Sequence, residues 1–97
     1  MYRITLTRQA EKDIRNLENS GLKQKAAVLL RIIRQNPFQN PPPYEKLRGF
    51  NETYSRRINI QHRLVYHVLP NDDGETDDAG IPCQGIIKII RMWTHYE

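Results

Sequence analysis

The segment YEKLRGFNETYSRRINIQHRLVYHV, residues 44–68, mixes cationic and aromatic side chains. Its lysines and arginines are Lys46, Arg48, Arg56, Arg57 and Arg63, and its large aromatic residues are Tyr44, Phe50, Tyr54 and Tyr66. Cationic side chains bind phosphates and aromatic faces stack on unpaired bases, so this composition favours binding of single-stranded RNA. The alternative is structural, because arginine and tyrosine also suit the half-exposed face of an antiparallel sheet.

Two residues suited to proton transfer accompany this segment. Glu45 follows a run of prolines, and His95 lies near the last residue of the sequence. Cleaving RNA without a metal needs a base for the 2′-hydroxyl, an acid for the departing 5′-oxygen and a cation for the transition-state charge. A carboxylate, a histidine and an arginine suit these three roles. Their distance in sequence does not decide whether they converge. Glu45 can equally pair with Lys46 or Arg48, and His95 can equally be a hydrogen-bonded histidine at a sheet edge.

The sequence has no pattern typical of a metal or phosphate-loop site. It contains one cysteine, Cys83, no His-x-x-x-His pair and no glycine-rich phosphate loop. The acidic stretch NDDGETDDAG, residues 71–80, fails the EF-hand pattern in both possible registers, because the twelfth position is Gly80 or Ile86 instead of glutamate. We therefore expect no metal and no cofactor, and we interpret residues 69–85 as a mobile, solvated loop insertion.

Charge is distributed unevenly along the chain. Lysine and arginine total 15 against 11 acidic residues, for a net charge of +4. Residues 71–80 hold five of the acids and no base, so the rest of the chain carries +9. A cationic body favours a polyanionic partner, although a basic balance can also serve solubility alone. The single cysteine fits a reducing cytoplasm, and the absence of long apolar runs predicts neither a secretory signal nor a membrane span.

The first third of the sequence predicts a strand followed by two helices. YRITLT alternates like a strand, and Thr7 is a reasonable N-cap for a helix whose apolar face carries Ala10, Ile14 and Leu17. Gly21 fits the position just beyond the end of that helix. A second apolar stripe follows within LKQKAAVLLRIIRQN, and Pro37 ends it. A connection of two or three residues makes the two helices a hairpin.

The remainder predicts an antiparallel sheet after an extended connector. NPFQNPPP is too rich in proline for a helix or a central strand. TYSRRI and RLVYHVL alternate as strands around the turn NIQH, and GIIKIIRMW is apolar on both parities, which is typical of a central strand. We therefore predict one α+β domain, residues 1–97, with an N-terminal strand and helical hairpin packed on one face of a mostly antiparallel sheet. The other face remains free for function.

The stretch SRRINIQHRLVY closely resembles the Ser-Arg-Arg-Ile and His-Arg-Leu-Val-Tyr signature of the YoeB (Txe/YoeB) toxins, within the RelE superfamily. PFQNPPPYEKLRG is similar to the connector of that family, and the pair His95–Tyr96 matches the end of its sequences. The order of elements also agrees. The resemblance covers nearly the whole chain, and its motif is long and specific.

The resemblance implies a ribosome-dependent mRNA endonuclease that a cognate antitoxin holds inactive. It assigns Glu45 as general base, His95 as general acid, Arg63 to the scissile phosphate and Tyr96 to stacking on or orienting the substrate. Arg48 matches a cationic position that contacts phosphate, and Arg57 matches the second arginine of the Arg-Arg pair. The implied products are a 2′,3′-cyclic phosphate and a 5′-hydroxyl. The implied partners are the ribosome with its mRNA and a cognate antitoxin, and the resemblance makes a homodimer possible. The basic charge of the chain predicts that the antitoxin has an acidic, partly disordered tail.

Two other functions remain open at the level of sequence. A non-catalytic toxin of the same superfamily would inhibit a protein target such as gyrase, as the ParE branch does; that branch lacks the carboxylate–histidine pair. A plain basic binding module would neither cut RNA nor arrest growth. The chain also departs from the family in its long acidic loop, in Thr94 where an aromatic residue is common, and in Glu97 after the terminal tyrosine.

Overall fold

A computed structural model describes residues 1–93, which form two helices and a five-stranded sheet. In chain order the elements are β1 (Arg3–Leu6), α1 (Arg8–Asn19), α2 (Lys23–Gln35), β2 (Glu45–Lys46), β3 (Thr53–Arg57), β4 (Arg63–Pro70) and β5 (Gly85–Arg91). The strand order is β1-β5-β4-β3-β2. Only the β1–β5 pair is parallel among these residues, and the other pairs are antiparallel. The predicted α+β class and mostly antiparallel sheet are confirmed.

The helix ends follow the predicted local chemistry. The Thr7 hydroxyl accepts a hydrogen bond from the Ala10 amide at 3.0 Å, which caps the start of α1. Ser20 closes α1, and Gly21 then takes a positive φ of 76°, which costs glycine nothing. α2 ends at Gln35, two residues before Pro37, as expected for a ring that cannot continue a helix.

The core lies between the helical hairpin and one face of the sheet. Leu64, Tyr66, Ile87 and Ile89 are fully buried from the sheet side. From the helices the buried apolar residues are Ala10, Leu17, Ala26, Leu29 and Ile33. The predicted helical stripes therefore face this core. Strand β5 lies between β1 and β4, which confirms its predicted interior position in the sheet.

Strand β2 was not anticipated by periodicity, because two residues are too short to show a pattern. Glu45 pairs with Ser55 and Lys46 pairs with Tyr54, so the chain leaves the proline-rich connector directly into an edge of the sheet. This pairing fixes the backbone of Glu45 beside β3.

The acidic segment 71–80 is more firmly bonded than a solvated insertion predicts. The Asn71 side chain donates to the carbonyl oxygens of Glu75 and Cys83, each at 2.9 Å, and accepts from the Glu75 amide. Glu75 also lies 3.5 Å from the Arg3 guanidinium. The segment follows Pro70, the last residue of β4, whereas Arg63 is the first residue of that strand. The two ends of β4 are roughly 23 Å apart at about 3.3 Å per residue. Its acids therefore lie at the end of β4 opposite to Arg63.

No helix within residues 1–93 combines the length and the apolar character needed to cross a bilayer. In the same part of the chain, no cluster of three or more histidine, cysteine, aspartate or glutamate side chains is arranged to hold a metal ion.

Candidate functional site

Glu45 and Arg63 come together on the sheet face that points away from the helices. Glu45 Oε1 lies 3.6 Å from Arg63 Nη2, and Arg63 Nη1 donates to the Ser55 hydroxyl at 3.0 Å. The strand register explains this meeting, because Glu45 lies opposite Ser55 and Ser55 lies opposite Val65, two residues from Arg63. Three strands thus supply one side chain each to a single cluster.

The exposure of the two charged groups suits different chemical roles. The Glu45 side chain is 69% exposed, whereas the Arg63 side chain is only 15% exposed and is held by Ser55. At 3.6 Å the carboxylate is not tightly bonded to the guanidinium, and such a pair contributes at most about 1 kcal/mol to stability. The carboxylate therefore remains accessible to accept a proton, beside a cation with a fixed position.

Further basic side chains lie on the same face, which we call the open face and define by Arg57, Arg63, His67 and Lys88. Arg57 lies opposite Arg63, and His67 lies opposite both Thr53 of β3 and Lys88 of β5. Arg57 and Lys88 are exposed. Cations on the three adjacent strands β3, β4 and β5 therefore share this face, which suits binding of a polyanionic chain.

Arg56 is the one predicted RNA-binding residue that the structure contradicts. Its side chain is fully buried, on the helix side of the sheet, because consecutive strand residues alternate between faces. It donates four hydrogen bonds, to the Tyr66 hydroxyl and to the carbonyl oxygens of Pro37, Gln39 and Pro42. Arg56 therefore bonds within the interior, and of the two adjacent arginines only Arg57 can reach a ligand on the open face.

Lys46 and Arg48 are exposed near the cluster but do not join it. Lys46 lies opposite Tyr54, so its side chain starts from the face opposite to that of Glu45. Arg48 follows β2 in the loop of residues 47–52. Both remain predictions as RNA-binding residues, reached from the edge of the sheet.

The chain is firmly held where it approaches His95. Asp13 of α1 accepts from Arg91 Nε at 2.8 Å and from the Met92 amide at 2.9 Å. Next to it, the Trp93 ring stacks on His62, with ring centroids 3.9 Å apart and planes within 16°. His62 directly precedes Arg63, so residue 93 lies beside the β3–β4 turn. His95 and Tyr96, with Thr94 and Glu97, lie outside the described residues.

Asp13 is the residue of this region that sequence reasoning missed. Its signal was present, because Asp13 falls between Ala10, Ile14 and Leu17 on a helical face that is otherwise apolar. A carboxylate at such a position needs a buried donor. Arg91, in the strand GIIKIIR, supplies it.

Two sequence comparisons found nothing: no family model and no curated protein matches. Solved structures do match. The YoeB dimer from Staphylococcus aureus is 31% identical, with 98% of each chain covered and a TM-score of 0.71. YoeB in the YoeB–YefM complex from the same organism is 33% identical over 99% of each chain, with a TM-score of 0.68.

The chain belongs to the YoeB family of toxins, in the RelE superfamily. A YoeB/ParE toxin from Agrobacterium tumefaciens is 23% identical, with 97% of this chain and 99% of that one covered and a TM-score of 0.74, which shows the shared fold. In this YoeB-family chain the signature SRRINIQHRLVY occupies β3, the turn and β4. It supplies Ser55 and Arg63 to the open face, and Arg56 and Tyr66 to the interior.

The YoeB-family toxin is expected to lose about 3 kcal/mol of stability when Asp13 is changed to Asn. The side chain is fully buried, and loss of its charge weakens the bonds from Arg91 and Met92. Burial alone raises the pKa of the Asp13 carboxyl, but hydrogen bonds from Arg91, Met92 and Gln9 outweigh it and leave that pKa lowered. The ionised carboxylate therefore adds stability above about pH 4, the pKa of an unfolded aspartate, and loses it as pH falls through the lower folded pKa.

Urea unfolding of wild type and Asp13→Asn at pH 7 and at stepwise lower pH measures this effect. The difference between the two proteins should be largest at pH 7 and shrink below pH 4. A matched change on the exposed side of α1, Glu11→Gln, should have little effect. A difference between wild type and Asp13→Asn that stays constant across this range would show that the charge of Asp13 does not contribute.

Proposed function

We propose that this YoeB-family toxin is a ribosome-dependent mRNA endoribonuclease that acts by metal-independent acid–base catalysis and thereby inhibits translation. The observation that carries the proposal is the exposed Glu45 carboxylate, 3.6 Å from the fixed Arg63 guanidinium, on an open face with further cations. A base and an anion-binding group next to each other are what the first step of RNA cleavage requires.

The proposed reaction is a transesterification within the RNA and consumes no water. Glu45 takes the proton of a 2′-hydroxyl, and the 2′-oxygen attacks the adjacent phosphorus. A new 2′-oxygen–phosphorus bond forms as the bond to the 5′-oxygen breaks, which leaves a 2′,3′-cyclic phosphate. Arg63, helped by Arg57, binds the phosphate oxygens while their charge increases, and a fixed cation stabilises that charge without reorganising. Protonation of the departing oxygen gives a 5′-hydroxyl.

We assign His95 as the acid and Tyr96 to the substrate. His95 is two residues beyond Trp93, and two residues of extended chain span at most about 7 Å. Trp93 stacks on His62, the residue before Arg63, so a side chain this close in sequence can reach a phosphate bound by Arg63. Arg48 and Lys46 would contact RNA leaving the cluster at the edge of the sheet.

We further propose an mRNA in the ribosomal A site as substrate and a cognate antitoxin as inhibitor. The cationic open face supports an acidic antitoxin tail that orders on binding and covers the region of His95 and Tyr96. The related S. aureus toxin is described both in complex with YefM and as a dimer, which supports an antitoxin partner and a homodimer here. Action on ribosomes places the protein in the cytoplasm.

Translation in a cell-free extract tests the proposal. Wild-type toxin should stop protein synthesis and cut the mRNA within codons held on the ribosome, while the same mRNA without ribosomes is cut far more slowly. Translation arrest with intact mRNA would overturn the nuclease proposal. DNA supercoiling assayed in parallel would then show whether gyrase is the target, as for the ParE branch.

A further inference from the structure

Arg56 lies at the centre of a buried hydrogen-bond hub. Its Nε donates to the Tyr66 hydroxyl at 3.0 Å, Nη1 donates to the Pro42 carbonyl at 2.6 Å, and Nη2 donates to the carbonyls of Pro37 and Gln39 at 3.0 and 2.8 Å. The Tyr66 hydroxyl in turn donates to the Pro37 carbonyl at 2.8 Å. Four guanidinium hydrogen bonds thus join two strands to one stretch of irregular chain.

The hub holds a buried positive charge without an acidic partner. No carboxylate within residues 1–93 forms a salt bridge with Arg56, and in this part of the chain its hydrogen-bond acceptors are backbone carbonyls and the Tyr66 hydroxyl. Burial of a charge is costly unless it is hydrogen-bonded, and an apolar side chain could fill the same volume without that cost. What an apolar side chain cannot do is fix three backbone carbonyls at defined positions.

The three carbonyls belong to the connector between α2 and β2, residues 36–44. This connector pairs with no strand within residues 1–93, and four of its residues are prolines, which lack an amide donor. The ring of Tyr44, its last residue, lies 5.0 Å from Arg56 Cζ, a distance typical of a cation–π contact. Glu45 is the next residue. Arg56 therefore contacts the connector from Pro37 to Tyr44, immediately before the candidate base.

We infer that Arg56 is a positioning residue for Glu45. Adjacent residues of β3 fix the site from opposite faces: Ser55 binds Arg63 and pairs with Glu45, while Arg56 holds the connector that delivers Glu45 to the sheet edge. Lysine cannot substitute, because a single ammonium cannot reproduce a planar fork that reaches several separate acceptors. The catalytic part of this inference rests on the proposed function.

Two variants of Arg56 and one of Tyr66 test the inference. Arg56→Lys keeps the charge, Arg56→Met keeps approximate volume, and Tyr66→Phe removes only the hydroxyl that links Arg56 to Pro37. Arg31→Lys, an exposed arginine on α2, is the matched control. The measurements are amide hydrogen exchange, the single-turnover cleavage rate at saturating ribosome concentration, and the ribosome concentration for half-maximal rate.

The amide of Leu47, which donates to the Thr53 carbonyl at 2.9 Å across the β2–β3 pair, should exchange at least 10-fold faster in Arg56→Lys. Amides of β4 and β5 should keep their protection. The saturated cleavage rate should fall about 100-fold, because displacement of a catalytic group by about 1 Å has effects of that size. The half-maximal concentration should stay unchanged, since Arg57 and Arg63 still bind the RNA. Tyr66→Phe should change both readouts in the same direction by less, and the control should change neither.

Two results would overturn the inference. One is wild-type exchange at Leu47 in Arg56→Lys, and the other is an increase in exchange spread evenly over the domain, which would make Arg56 a general core residue. If wild-type toxin fails to cut ribosome-bound mRNA, the proposed function fails on its own, and the exchange pattern still decides whether Arg56 positions the Glu45 backbone.

Discussion

Removal of residues 95–97 is expected to abolish RNA cleavage and to leave the domain folded. The deletion takes away the proposed acid His95 together with Tyr96, and loss of a general acid alone typically slows a reaction by ~10²–10⁴. The fold should survive because residues 1–93 themselves supply a buried core and the chain is anchored before the deletion. Those anchors are the bond from the Met92 amide to Asp13 and the stack of Trp93 on His62.

The folded state and the cleavage rate of the truncated protein are measured side by side. Circular dichroism and thermal unfolding should match wild type within a few degrees, and single-turnover cleavage on ribosomes should be undetectable. His95→Gln is the milder companion variant, with the same expected loss of rate. Unfolding of the truncated protein would show that residues 95–97 complete the core, and wild-type cleavage by His95→Gln would remove the histidine from the mechanism.

Replacement of Glu45 by Gln is expected to lower the cleavage rate by ~10²–10⁴ with almost no change in stability. Glutamine keeps the shape of the side chain but cannot accept the proton of a 2′-hydroxyl. The side chain is 69% exposed and its contact with Arg63 is long, so the folded state depends little on its charge. The loss should appear in the saturated rate, because Arg63 and Arg57 continue to hold the phosphate.

The matched control for this variant is Glu18→Gln. Glu18 forms an ion pair of similar length, 3.4 Å to Lys23 Nζ, between exposed side chains at the helical hairpin. Both variants remove one exposed carboxylate beside a cation, so they change the net charge equally. Equal cleavage by the two variants would show that Glu45 acts only through charge, and would exclude it as the general base.

The fold could be predicted from the sequence where local chemistry and periodicity agree. Thr7 and Gly21 marked the ends of α1, and the apolar pattern of GIIKIIR placed β5 in the interior of the sheet. Strand β2 escaped prediction because pairing with β3, and not local pattern, makes Glu45 and Lys46 extended. The acidic loop was underestimated for a related reason: its order comes from the particular contacts of Asn71 and Arg3, which composition does not reveal.

The sequence predicted which residues belong to the candidate site. It did not predict which of them lie on the open face of the sheet and which are buried on the helix side. Strand alternation guarantees that Arg56 and Arg57 point to opposite sides of β3, yet it does not say which one is buried. That choice depends on the register with β4, where Arg56 lies opposite the buried Leu64 and Arg57 opposite Arg63. The meeting of Glu45 with Arg63 depends on the same register through Ser55. Asp13 shows the converse, since its place on an apolar helical face was visible but its partner Arg91 was not.

The chemistry of the cut ends tests the central claim most directly. Ribosomes carrying a defined mRNA are treated with wild-type toxin, and the ends at each cut are identified. The proposed mechanism predicts a 2′,3′-cyclic phosphate, or the 3′-phosphate formed when it opens, together with a 5′-hydroxyl. It also predicts that a single 2′-deoxynucleotide at the position before the cut blocks cleavage there. Fragments with 5′-phosphates and 3′-hydroxyls would contradict attack by a 2′-hydroxyl and with it the role of Glu45. Cleavage at a site whose preceding nucleotide lacks the 2′-hydroxyl would contradict them equally.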